Sequence, residues 1–97
     1  MILADRGERI QVLADVAERV AFWNEFRTPD FQNNVARLAS GARENWRDAN
    51  GELPRSGTDP TFDALVGLVQ AADGSPIAVR DAAARALQEA EDVRIAR

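Results

Sequence analysis

Apolar residues recur at three- and four-residue intervals through four stretches of this 97-residue chain, and residues that interrupt helices separate one stretch from the next. In the first, Ile10, Leu13, Val16, Val20 and Trp23 form one stripe with polar residues between them, the pattern of a helix that buries one face. Asp5 and Glu8 stand ahead of it in capping-box spacing, which predicts a helix over about Asp5 to Phe26. Asp5 with Arg9 and Asp15 with Arg19 are i,i+4 pairs in the favourable orientation, and are expected to support this helix as surface ion pairs.

The second stretch carries the cleanest stripe, Phe31, Val35, Leu38, Ala42 and Trp46, and predicts a helix over about Pro29 to Ala49. Gly41, beside Ser40, reads as a close helix contact or a slight bend. The short break at Arg27 and Thr28 favours an antiparallel hairpin with the first helix. That hairpin sets Trp23 near the turn and Trp46 at the far end, where both are expected to anchor the core. The third stretch, about Pro60 to Asp73, presents Phe62, Leu65, Val66, Leu68 and Val69 on more than one face and is expected to be the most buried. The fourth, about Pro76 to Ala96, is expected to turn Ile77, Val79, Ala83, Ala86, Leu87, Ala90 and Val93 inward.

Three dipeptides, Thr28-Pro29, Asp59-Pro60 and Ser75-Pro76, each set an N-cap residue before a proline. The side-chain oxygen can accept from the first-turn N–H groups, and proline lacks the N–H that would be orphaned there. Gly51 and Gly74 suit the left-handed position after a helix end. Asn50 to Asp59, with Gly51, Pro54 and Gly57, reads as a connector between two hairpins. No segment alternates as a strand would. The pattern therefore predicts an all-α fold, four helices arranged as two antiparallel hairpins in a small bundle, as a single domain over residues 1–97.

Composition removes most catalytic chemistry. The chain contains no Cys, His, Lys or Tyr, so all twelve of its basic residues are Arg. That excludes disulfides, thiolate nucleophiles and the usual transition-metal ligands, and leaves carboxylates as the available acids and bases. The serines, Ser40, Ser56 and Ser75, have no evident base, and no phosphate-binding glycine loop is present. Two acidic groups could be considered for a metal: Glu89, Glu91 and Asp92, and Asp59, Asp63 and Asp73. Neither has the ligand spacing of a known loop, so both read as solvated charge. The expectation is a protein that is not an enzyme and needs no cofactor or metal.

A net charge of −4 is the wrong sign for neutralising phosphates, which argues against direct nucleic-acid binding. The opening Met1-Ile2-Leu3 lacks a basic and apolar leader, and the longest apolar run, Ala64 to Ala72, is about half the ~18 residues of a membrane span. A cytoplasmic protein without membrane contact is expected. Arg in place of Lys, with abundant Ala, Val and Asp, is what a GC-rich bacterial or phage coding sequence produces.

The run Val79-Arg80-Asp81-Ala82-Ala83-Ala84-Arg85-Ala86-Leu87, preceded by Asp73-Gly74-Ser75-Pro76 and the apolar helix with Leu65, Leu68 and Val69, resembles a HEAT-type repeat over about residues 61 to 90. In that family a helical hairpin has a short Asp/Pro turn and a second helix that opens with Val-Arg. The resemblance implies a protein-binding scaffold role, with Asp73 and Arg80 at positions that link neighbouring repeats. No second copy of the pattern occurs in the chain, whereas repeats of this kind bury their apolar faces against neighbours.

Arg43, Arg47 and Arg55, with Arg37, concentrate positive charge along the second helix and into the loop, interleaved with Glu44, Asp48 and Glu52. Arg is enriched at interfaces, so Arg43, Arg47 and Arg55 are candidates for a docking edge. The function these observations favour is a small non-catalytic interaction module that binds another protein, with self-association also open. The alternative is a small acidic inhibitor, of phage anti-defence or antitoxin type, that occludes a target's functional surface.

Overall fold

The computed structural model describes residues 5–95 of the chain, and side chains as far as residue 92. Within them lie four helices, α1 (Arg6–Glu25), α2 (Phe31–Arg43), α3 (Pro60–Ala71) and α4 (Pro76–Ile95), and one 3-10 turn, Glu44–Trp46, that continues α2. No strand occurs among the described residues. The expected end of the fourth helix at Ala96 and the inward side chain of Val93 lie outside what is described.

Helix starts follow the capping chemistry in three of four cases. Asp5 accepts a 2.7 Å bond from the Glu8 amide. Asp59 accepts from the Thr61 amide at 3.1 Å and the Phe62 amide at 3.4 Å, with Pro60 as the first helical residue. The Ser75 hydroxyl accepts from the Ala78 amide at 3.2 Å. The exception is Thr28-Pro29. The Phe31 amide donates to the Thr28 carbonyl at 3.0 Å, and Asp30 has φ −91° and ψ 6°, the geometry of the third residue of a type I turn with proline second. Pro29 thus serves the turn, α2 begins at Phe31, and the Asp30 carboxylate makes no capping bond.

α2 also stops short of the expected Ala49. After Arg43 the backbone tightens into the 3-10 turn, which swings Trp46 into the interior, and Arg47 is already extended. Gly51 does adopt the left-handed conformation, at φ 77°, but inside the following loop rather than at a helix end. Gly74 is not left-handed. A Cβ there would lie 3.2 Å from the Ala71 carbonyl and 3.3 Å from the Ala78 methyl, so glycine is needed for space in the turn before α4.

The helices alternate in direction. Asn24, near the end of α1, donates through Nδ2 to the Pro76 carbonyl at the start of α4. Arg27, just past α1, reaches the Ala72 carbonyl at the end of α3. Trp46, after α2, meets Thr61 at the start of α3. The consecutive pairs are therefore two antiparallel hairpins. α1 packs most extensively along α4 of the other hairpin, and α1 and α3 each touch all the other helices. Small side chains permit this: α4 turns Val79, Ala82, Ala83, Ala86 and Ala90 inward, against Ala14 and Ala17 among the buried residues of α1.

The core is close to the predicted stripes, with informative departures. Ile10, Leu13, Val16 and Val20 are buried, as are Phe31, Val35, Ala42 and Trp46, and Phe62, Leu65 and Leu68. Trp23 is not a core anchor: it and Leu38 are only partly buried, at the margin of the core. Ile77, expected to point inward, is 61% exposed in the first turn of α4. Gly41 marks neither a contact nor a bend in need of space, since a Cβ there meets nothing within 4 Å. The two expected ion pairs of α1 do not form. Asp5 is engaged by its own helix start, and Asp15 accepts a 2.9 Å bond from Gln11 instead of pairing with Arg19.

Polar contacts fasten the bundle at both ends. At one end the Trp46 indole N–H donates to the hydroxyl of buried Thr61 at 3.1 Å, and that hydroxyl donates to Asp59 at 2.6 Å. The Trp46 ring also packs on Phe62, with centroids 6.0 Å apart. At the other end Arg27 donates to the carbonyls of Ala72 at 2.8 Å and Gly74 at 2.7 Å, with its guanidinium 4.8 Å above the Phe31 ring. A cation on the orphan carbonyls of a helix end is favoured by the helix dipole as well as by the bonds themselves.

These contacts make two predictions. Thr61→Val keeps the shape but strands a buried indole donor, and is expected to cost about 1–3 kcal/mol in urea unfolding. Such a loss lowers the midpoint of thermal unfolding by roughly 4–8 °C per kcal/mol for a domain of this size. Arg27→Ala is expected to cost a comparable ~1–3 kcal/mol, and Arg27→Lys to recover less than half of it, because an ammonium cannot reproduce the planar fork. Unchanged stability in either alanine or valine variant would show that the contact does not hold the helices.

Candidate interaction surface along α1 and α2

Of the large apolar side chains, Phe22, Phe26 and Ile77 stand out as mostly exposed. Phe22 and Phe26 belong together. Phe22 is on the last turn of α1 and Phe26 caps its end; they are 60% and 62% exposed, and their rings stack at a tilt with centroids 5.2 Å apart. Both lie on the face of α1 opposite its core stripe, which is why the periodicity of the buried residues passes over them. A pair of aromatics at i,i+4 on an otherwise charged face is the signal that could have found them.

The surface around these rings is shaped. A small cleft of ≈ 180 Å³ lies between α1 and the start of α2, walled by Phe22, Trp23, Phe26 and Phe31. Further along α1, Phe22 borders a depression with Asp15, Glu18 and Arg19. Asp15 and Arg19 in turn border a recess of ≈ 400 Å³ between α1 and α2. Its floor is Val12, Val16, Leu38 and Ala42, and Gly41 leaves it open on the α2 side. The three depressions share residues and form one shallow trough along the outer side of α1, which reaches α2 at the cleft and at the recess. From Val12 to Phe26 this trough spans about 21 Å of helix, or four turns.

Arg19 and Arg37 edge the recess as cations, and Arg37 donates to Asn34 at 2.6 Å. Arg19 has no hydrogen bond or ion pair within the described residues. Apolar floor and charged rim are the features of a groove that receives an amphipathic helix.

The candidates chosen from sequence fall elsewhere. Arg47 is occupied locally: its Nε and Nη2 hold the Glu44 carboxylate at 2.6 and 3.2 Å, and its Nη1 donates to the Gly51 carbonyl at 2.7 Å. The bonded guanidinium holds the Glu44 carboxyl below its usual range, and the carboxylate in turn raises the Arg47 guanidinium. Both are surface groups, so this pair shapes the loop more than it stabilises the fold. Arg43 is half-buried and Arg55 exposed, and neither guanidinium has a hydrogen bond or ion pair within the described residues. Asp73 is exposed just past α3, while Arg80 is exposed on α4 with Asp81 at 3.9 Å; no ion pair joins Asp73 to Arg80.

Besides the helix caps Asp5 and Asp59, two carboxylates are committed to the backbone. Asp48 accepts from the amides of Asn50 at 2.8 Å and Glu52 at 3.0 Å, and Asp63 accepts from the Gly57 amide at 3.0 Å. Among the described residues no group of three or more carboxylates gathers at one point as a metal site would require, and no helix is long and apolar enough to cross a membrane.

The open recess allows a direct check of its shape. Gly41→Ala is expected to stabilise the protein by about 0.5–1 kcal/mol in urea unfolding, because the methyl meets no neighbour and helix interiors favour alanine. Destabilisation would mean that the recess is closed in solution.

Compared with models of protein families, with curated proteins and with solved structures, the chain matches none.

Proposed function

We propose that this chain is a small non-catalytic protein–protein interaction module of the cytoplasm, and that it binds through the α1–α2 face. The observation that carries this reading is the exposed, stacked Phe22–Phe26 pair continuous with an apolar recess. Aromatic side chains seated beside a pocket are the groups that dominate binding energy in interfaces. Phe22 and Phe26 take no part in the core, so their apolar character is left to be explained by something outside it.

The chemistry of the chain supports a binding role over a catalytic one. Its acids and bases are carboxylates, and the two at the start of α3, Asp59 and Asp63, are engaged in helix capping and loop closure. The likeness of the α3–α4 hairpin to a HEAT-type repeat supports the same class of role. On this reading the hairpin is the platform against which α1 is fixed, while the opposite side of α1 is presented to the partner.

The test uses the whole chain immobilised as bait in native lysate, comparing the unaltered protein with Phe22→Asp/Phe26→Asp, Arg43→Ala/Arg55→Ala and Arg80→Ala. A protein retained stoichiometrically by the unaltered chain and by both arginine variants, but reduced about tenfold or more with the double aspartate, is expected. Loss that follows Arg43 and Arg55 instead would move the docking site to the end of α2 and the loop. Capture indifferent to all three variants would remove the interaction reading of this face.

A further inference from the structure

We infer that the partner this face fits is a second copy of the same chain, docked with the two α1 helices antiparallel. This rests on the α1–α2 face being the docking surface. The inference comes from the order of features along α1. Asp15 and Arg19 stand two residues either side of Ala17, and Val12 and Phe22 stand five residues either side of it. A two-fold axis across the face at the level of Ala17 therefore brings two complementary matches at once. Asp15 of each copy meets Arg19 of the other, and Phe22 of each copy meets the recess beside Val12 of the other.

Arg19 and Phe22 are free to engage, and Asp15 is exposed with only a neighbouring glutamine on its carboxylate. Arg19 has no intramolecular bond or ion pair, although Asp15 lies one turn away in the spacing that favours one; Asp15 instead accepts from Gln11. Phe22 is 60% exposed and projects as a knob, while Gly41 leaves the recess of the other copy open where the ring would enter. Phe22 and the Val12 end of the recess lie about 15 Å apart along one helix, so no single copy can bring them together, and two related by a two-fold axis can do it twice. A self-complementary patch of this kind closes on itself and stops at the dimer.

The contact is modest in size. Two exposed phenylalanines and one groove make a small patch beside the ~800 Å² per partner of a standard interface, so a weak, reversible dimer is expected.

Sedimentation velocity on the purified chain, from about ten micromolar to about one millimolar, tests this directly. A concentration-dependent monomer–dimer equilibrium is expected. Phe22→Asp should weaken it about tenfold or more, as should Gly41→Leu, which fills the recess from the α2 side. Asp15→Arg and Arg19→Asp should each weaken it several-fold by setting like charges opposite one another twice. Combining them should restore association to within about twofold of the unaltered chain, because the swapped pair meets again across the axis. Circular dichroism of each variant confirms that these surface changes leave the helices formed.

A chain that remains monomeric throughout, dimers untouched by Phe22→Asp, or a double charge swap that fails to restore association would each overturn the inference. The first of these outcomes leaves the wider reading standing if the immobilised chain still captures another protein through Phe22 and Phe26, so the two fail separately.

Discussion

The buried indole N–H of Trp46 is the constraint around which the first hairpin is arranged. An unsatisfied donor at that depth costs as much as several ordinary hydrogen bonds contribute, so Trp46 can be buried only where an acceptor meets it. The acceptor is the hydroxyl of Thr61, the one buried polar residue among those described, and that hydroxyl is itself oriented by Asp59. A helix cap and a core contact thus share one carboxylate. Trp46 is carried by the 3-10 turn into which α2 tightens after Arg43, next to the start of α3. This placement accounts for the tied loop that follows, since Arg47 on Glu44 and Gly51, and Asp48 on Asn50 and Glu52, must turn the chain around within a few residues.

Arg27 performs the corresponding task at the opposite end by a different means. It joins the α1–α2 turn to the α3–α4 turn through two carbonyls, and it lies over Phe31, the first residue of α2. Between these two fastenings the helices need only shape. Alanine supplies it along α1 and α4, where close approach produces the largest interface in the molecule even though the two helices belong to different hairpins. A chain whose basic residues are all arginine suits such fastening, because a planar guanidinium can hold two carbonyls or both oxygens of a carboxylate at fixed geometry.

Helix number, class and approximate extent were legible because they depend on local signals: stripe periodicity, and oxygen-bearing caps before proline. Asp59-Pro60 and Ser75-Pro76 behave as those signals imply. Thr28-Pro29 does not, and the reason is physical: the same dipeptide satisfies a type I turn as readily as a helix start, and the short link to α1 selects the turn. Leu38 and Trp23 sit on their predicted stripes yet remain at the margin, because a stripe shows which side of a helix faces inward but not how far the neighbour extends. Ile77 fails for the same reason, lying in the first turn of α4 where the bundle ends. Arg27 was illegible, since its role depends on what tertiary packing places nearby, whereas the Phe22–Phe26 pair carried an i,i+4 signal that the core periodicity passes over. Arg47 shows the converse, an arginine conspicuous in sequence that its own loop absorbs.

The division of labour on α1 follows from this. One helix presents Leu13, Ala17 and Val20 to the core and Asp15, Arg19 and Phe22 to the outside, and the two sets share no member. The outer set can therefore vary without loss of the fold, while the inner set holds the outer at fixed spacing. Rigidity is what gives that spacing meaning. A recess near Val12 and a knob at Phe22 are complementary across a two-fold axis only if the helix between them is straight and held, and α1, in contact with every other helix, is one of the two in the bundle so held along its length. In the inferred dimer the charged residues at the centre of the face would set register and the aromatic knob would add apolar contact, an arrangement in which specificity and affinity reside in different side chains.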